Sequence, residues 1–148
     1  MTRFERFWSS IALMSRQAHK LAAIEMEKYG LKGPHAFYLI RLSHYPDGVT
    51  ATELAEMCDK DKADVSRSMA LMQDKGLVTR CGKTGGYRAR IVLTDIGRAA
   101  AESVCRKAEK AVELAGAGLS TEDRIKLYEM LDLISGNLVA LCKEGLPE

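Results

Sequence analysis

Val65–Thr94 reads Val-Ser-Arg-Ser-Met-Ala-Leu-Met-Gln-Asp-Lys-Gly-Leu-Val-Thr-Arg-Cys-Gly-Lys-Thr-Gly-Gly-Tyr-Arg-Ala-Arg-Ile-Val-Leu-Thr. It is a helical pattern running into a basic β-hairpin. From Lys75 to Thr94 there are five cations, Lys75, Arg80, Lys83, Arg88 and Arg90, and no Asp or Glu. The whole chain of 148 residues carries a formal charge of only +2. Its uncompensated positive charge is therefore concentrated on one protruding element, which suits a polyanion.

Upstream, Thr50-Ala51-Thr52-Glu53 has the S/T-x-x-E pattern of a capping box and starts a short helix through Cys58. Asp59-Lys60-Asp61 breaks the pattern, and Asp61 can cap the next helix, which buries Val65, Met69 and Met72 and ends before Gly76. Thr50–Asp74 thus reads as helix, tight turn, helix. Downstream, Leu77–Cys81 predicts a first strand, Gly82–Gly86 a loop and Tyr87–Leu93 a second strand. Alternation places Tyr87, Ala89, Ile91 and Leu93 on one face of that strand, with Arg88 and Arg90 on the other.

Opposite the apolar stripe of the second helix lie Ala63, Ser66, Arg67 and Ala70, at spacings i, i+3, i+4 and i+7. On an isolated helix this would be an ordinary solvated face. Between a capped helix and a basic hairpin it becomes a face fit for the DNA major groove. Small side chains let the backbone approach base edges, Ser66 can hydrogen-bond a base or phosphate, and Arg67 can pair with guanine or clamp a phosphate. The expected DNA contacts are Lys62, Ala63, Asp64, Ser66, Arg67, Arg80, Lys83, Arg88 and Arg90. Gly82, Gly85 and Gly86 lead into a strand and not a helix N-terminus, so no nucleotide-phosphate loop is implied.

Outside this core, Phe4, Phe7, Trp8, Ile11, Met14, Ala18, Leu21 and Ala22 recur at three- and four-residue spacing and predict a first helix of about seven turns ending at Tyr29-Gly30. A second helix opens near Gly33-Pro34, and Tyr45-Pro46-Asp47-Gly48 is a turn by composition. Thr94 caps a long helix over about Asp95–Ala115, and Ser120 a last one with an apolar stripe through Met130, Ile134, Leu138 and Leu141. A domain from about Leu31 to Thr94 would not need the apolar residues of these outer helices. Burial between two chains explains them, with Phe4, Phe7, Trp8, Ile11, Met130, Ile134, Leu138 and Leu141 at the contact; an intramolecular bundle is the alternative. A two-fold dimer would set two reading helices one DNA turn apart.

The quoted segments, with Leu54-Ala55-Glu56-Met57-Cys58 and Val92-Leu93-Thr94-Asp95-Ile96-Gly97, resemble the winged helix-turn-helix of the multiple-antibiotic-resistance regulator (MarR) family. The expected fold class is mainly α with a small β-hairpin wing (α+β). The expected organisation is one domain over 1–148, with the winged helix-turn-helix at 31–94 and dimerisation helices at 1–30 and 95–148. The resemblance implies a homodimer that represses or tunes transcription from a pseudo-palindromic operator and is released by a small ligand or an oxidant. The family's wing usually carries an Asp-x-Arg pair upstream of Leu-Thr. The corresponding places here hold Gly85 and Tyr87, which leaves the wing-tip arginine between Arg88 and Arg90.

The expected partners are double-stranded DNA, a second copy and a small hydrophobic or aromatic ligand, with His35 and Tyr38 as its polar contacts. Peroxide-sensing members of the resembled family use a cysteine near the N-terminus, and this chain has none before Cys58. Cys58, Cys81, Cys105 and Cys142 read as ordinary buried or half-buried thiols, with Cys81, beside Arg80, the one placed for a redox alternative. No CxxC pair, shared metal-ligand spacing, Ser/His/Asp or Cys/His constellation occurs, so no metal, cofactor or enzymatic activity is expected. No apolar run suits a membrane span, and the first residues lack a signal-peptide core, which points to the cytoplasm and no membrane partner. A winged module that binds protein in place of DNA is the competing function.

Overall fold

The computed structural model describes residues 1–82 and 89–148. It divides into two compact units, Met1–Ala108 and Glu109–Glu148. The first unit opens with α1, Arg3–Met26, capped by Thr2 in a capping box with Glu5. A 3-10 turn, Glu27–Tyr29, follows and ends at Gly30 in the left-handed conformation, where the apolar periodicity stops. Next come α2 (His35–Ser43), α3 (Ala51–Cys58) and α4 (Lys62–Asp74).

The local signals act as their chemistry requires. In the turn before α3 the Gly48 amide donates to the Tyr45 carbonyl at 2.9 Å. The Thr50 hydroxyl then accepts from the Glu53 amide at 3.1 Å while Glu53 accepts from the Thr50 amide at 2.9 Å, completing the capping box. The chain leaves α3 through Asp59, the one non-glycine residue with positive φ among those described, and Asp61 caps α4 through the Ala63 amide.

The hairpin is β1 (Val78–Cys81) paired antiparallel with β2 (Arg90–Leu93), from Val78 opposite Leu93 to Cys81 opposite Arg90. β1 starts at Val78 and not at Leu77, because the Leu77 amide closes the end of α4 on the Met72 carbonyl at 2.9 Å. Expectations for Lys83, Thr84, Gly85, Gly86, Tyr87 and Arg88 lie outside the described residues. Within β2 the alternation holds: Ile91 and Leu93 are buried, as is Ala89 just before them, and Arg90 is exposed.

One core unites these elements: Tyr38, Leu39 and Leu42 from α2, Leu54 from α3, Val65, Met69 and Met72 from α4, and Ile91 and Leu93 from β2. The helix α5, Asp95–Ala115, begins in this unit and packs Ala100, Ala101 and Val104 into the same core. Its start is fixed by Thr94, whose hydroxyl donates to the Gly76 carbonyl at 2.6 Å and accepts from the Gly97 amide at 3.0 Å. Gly97 lies against the Leu77 carbonyl, just ahead of β1. A Cβ there would overlap the Leu77 carbonyl oxygen and stand 2.9 Å from the Leu77 carbonyl carbon, so the approach of α5 admits no side chain.

Glu25 ties α1 to α5. Its buried carboxylate accepts from Lys107, Lys28 and the Ser103 hydroxyl. Burial pushes this carboxyl up, but the hydrogen bonds and charges of Lys107 and Lys28 outweigh burial and hold it below the ordinary carboxylate range.

The second unit holds the end of α5, the Gly116–Leu119 turn and α6, Thr121–Glu144, capped by Ser120. The Arg124 guanidinium donates to the carbonyls of Glu113 and Gly116 and so closes the turn between the two helices. No residue of α6 is buried in the single chain.

Candidate nucleic-acid interface

The face of α4 turned away from the core presents Ala63, Ser66, Arg67 and Ala70, all exposed, and Lys62 is exposed at its first turn. Val65, Ser68, Met69 and Met72 are buried on the opposite side. The 3.6-residue period separates the two faces, so packing the apolar stripe fixes which side chains are offered outward. The Arg67 side chain is 72% exposed, with Nη2 3.9 Å from Asp64 Oδ1.

Asp64 does not stand free on this face. Its side chain is half-covered, and Oδ2 accepts from the Tyr38 hydroxyl at 2.8 Å. Burial and the Asp64 charge together hold the Tyr38 hydroxyl protonated well above its ordinary range. Asp64 therefore joins α4 to α2 through a buried phenol. Sequence spacing could place it in the first helical turn but could not supply a partner 26 residues away.

On the hairpin, Arg80 and Arg90 are both exposed but lie on opposite faces. Residues directly opposed across antiparallel strands share a face, and Arg80 pairs with Ile91 whereas Arg90 pairs with Cys81. Arg90 is also anchored: Nη1 donates to the Gly48 carbonyl at 2.7 Å, pinning the wing to the turn before α3. A bridge between Val49 and Ile91 reinforces this junction. The anchoring glycine has φ +86, and a Cβ there would meet Val92 Cγ1 at 2.7 Å. The structure thus brings Lys62, Ala63, Ser66 and Arg67 together on one helix, with Arg80 and Arg90 on the neighbouring hairpin. Lys83 and Arg88 lie outside the described residues.

A cleft of about 400 Å³ opens beside α2 and α3, with His19, Phe37, Tyr38, Arg41, His44 and Cys58 among its lining. The His19 and Phe37 rings stand 5.5 Å apart. Tyr38 borders this cleft and His35 does not. The buried His35 ring accepts from the Lys32 amide through Nδ1 at 2.9 Å. Burial lowers its pKa below the ordinary value, against the opposing charge of Asp64. Of the four cysteines, Cys58 and Cys105 are half-buried, whereas Cys81 and Cys142 are exposed, which corrects the expectation of covered thiols at those two positions. Burial pushes the Cys58 thiol up.

The residues expected at a dimer contact are largely uncovered in the single chain. Phe7 and Leu138 are half-buried, and Phe4, Trp8, Ile11, Met130, Ile134 and Leu141 are exposed. Among the described residues no helix is long and apolar enough to cross a membrane.

A capped helix pair followed by a two-stranded basic hairpin defines a winged helix-turn-helix protein. Solved structures share the fold. A MarR transcriptional regulator from Methanosarcina mazei Go1 superposes with a TM-score of 0.83 at 19% identity, over 95% of this chain and 94% of that one. The S. aureus MepR–DNA complex gives 0.80 at 19% identity, over 93% and 99%. At these identities the likeness is one of fold. In sequence, the profile of the MarR family matches residues 29–86. An uncharacterized HTH-type transcriptional regulator of Bacillus subtilis (strain 168), YdgJ, is 30% identical over 101 residues, which span 68% of this chain and 62% of that relative. The chain is thus similar to the MarR family over its winged helix-turn-helix segment.

Proposed function

We propose that the protein is a DNA-binding transcription regulator that acts as a homodimeric repressor on a pseudo-palindromic operator. The observation that carries this proposal is the outer face of α4, where exposed Ala63, Ser66, Arg67 and Ala70 back onto a fully buried apolar stripe. Such a face can lie against base edges while hairpin cations meet the phosphates. In this function Arg67 and Ser66 carry sequence preference, and Arg88 or Arg90 carries grip. That a related fold, MepR, is seen with DNA supports the same assignment.

The homodimer is supported by the apolar surface of α1 and α6, including Phe4 at 69% and Met130 at 54% exposure in the single chain. Exposed large apolar side chains of this kind on each helix mark a contact site. Release by a small hydrophobic or aromatic ligand is supported by the cleft beside α2, where the exposed Phe37 ring could stack on such a molecule.

The test is a fluorescence titration of the full chain with DNA from upstream of its own gene, against a shuffled duplex of equal length at moderate salt. Tighter binding to the upstream duplex is expected, and in vitro transcription from it should fall as protein is added. Equal, weak binding to both would favour a winged module that binds protein.

A further inference from the structure

Asp64 poses a problem for a DNA-reading helix, because a carboxylate on that face repels phosphate. Its place in the first turn of α4 is favourable for the helix dipole, but that accounts for neither of its contacts. One oxygen accepts from Tyr38, a side chain only 1% exposed and so confined to one rotamer, at 2.8 Å. The other oxygen faces Arg67, at 3.9 Å from Nη2. The carboxylate is thus held from behind by a fixed donor and directed in front at Arg67.

Resting on the proposed DNA-binding function, we propose that Tyr38 and Asp64 are positioning residues that set the orientation in which Arg67 reads its base. An unpaired arginine on a helix surface samples many rotamers and must lose that freedom on meeting DNA. A carboxylate one turn back, itself fixed by a buried phenol, restricts the guanidinium before contact. In water the pair at 3.9 Å is screened and weak. Against DNA, with solvent removed, the same charges interact more strongly. The carboxylate also lowers the affinity of Arg67 for phosphate in general, which favours base contact over indiscriminate grip.

The experiment is selection of bound duplexes from a random-sequence library by the full-length wild type and by Arg67→Ala, Tyr38→Phe, Asp64→Asn and Tyr38→Phe/Arg67→Ala. Wild type should yield a motif, and Arg67→Ala should flatten one column per half-site. Tyr38→Phe and Asp64→Asn should each reduce preference at that same column by about three- to tenfold, leaving other columns unchanged. The double variant should lose no more than Arg67→Ala alone. Should Tyr38→Phe fail to fold, Asp64→Asn, which preserves the side chain's shape, reads the same column. Columns identical to wild type in the Tyr38 and Asp64 variants overturn the positioning role, as does uniform weakening of all columns, the mark of a purely structural clamp. An Arg67→Ala motif like that of wild type also overturns it. Absence of any wild-type motif instead overturns the DNA-binding function on which it rests.

Discussion

Replacing Gly97 by alanine should unfold the junction between hairpin and α5 more readily than a single methyl group suggests. The added Cβ would overlap the Leu77 carbonyl oxygen, stand 2.9 Å from its carbonyl carbon and 3.2 Å from Leu93 Cδ2. Backbone cannot rotate aside as a long side chain can, so α5 must lift from the Leu77 carbonyl. Overpacking of this kind costs about 1–3 kcal/mol. Lifting α5 also strains the Thr94 amide to Leu77 carbonyl bond of 3.0 Å, a further loss of about 1 kcal/mol. Against this, alanine gains about 1 kcal/mol over glycine in helix propensity. The net loss is about 1–3 kcal/mol, a melting temperature lower by about 3–10 °C. Urea unfolding followed by circular dichroism, at fixed chain concentration, measures it. Gly136→Ala is the control: it adds the same methyl to α6 with nothing within 4 Å and should stabilise by about 0.5–1 kcal/mol. A Gly97→Ala variant within about 0.5 kcal/mol of wild type would refute the close-approach account.

Arg90→Ala should weaken binding to every DNA sequence and lower the salt slope by about 1 if Arg90 meets a phosphate; an unchanged slope excludes that contact. Ile134→Lys on α6, exposed in the single chain, should convert a dimer to monomer in sedimentation; an unaltered mass places the interface elsewhere. His35 makes stability pH-dependent. Its folded pKa lies below the ordinary 6.5, so between the two values the unfolded chain binds the proton and the folded chain does not. Stability is therefore full above about pH 6.5 and falls as pH is lowered through that window, and His35→Gln should flatten the slope there. Glu25, also held low, contributes stability above its unfolded pKa that is lost as pH falls through the lower folded value. Glu25→Gln should cost about 1–2 kcal/mol near neutral pH, measured by the same urea titration, and blunt the loss in acid.

Much of the fold was legible because its signals are local. The Thr50–Glu53 box, the Asp61 cap and the Thr94 cap each act within three residues, and the structure has all three. The limits of α5 follow from Thr94 and Gly116 for the same reason. The outer face of α4 was legible from helical period alone. Long-range partners were not. Spacing gives no hint that Tyr38 meets Asp64, that Arg90 is tied to Gly48, or that Gly97 rests on the Leu77 carbonyl. Arg80 and Arg90, counted together along the sequence, also divide between two faces once register is known. The expected ligand contacts diverged for a related reason. Both His35 and Tyr38 lie on α2, but only Tyr38 borders the cleft, while the His35 ring turns back to the Lys32 amide.

Nuclease protection on DNA from upstream of the protein's own gene tests the central claim most directly. A dimer reading through two copies of α4 should protect two half-sites centred about 34 Å, or roughly one helical turn, apart, and Arg67→Ala should erase protection at protein levels where wild type is saturated. Uniform protection of any sequence, or none while the chain remains folded, would contradict it.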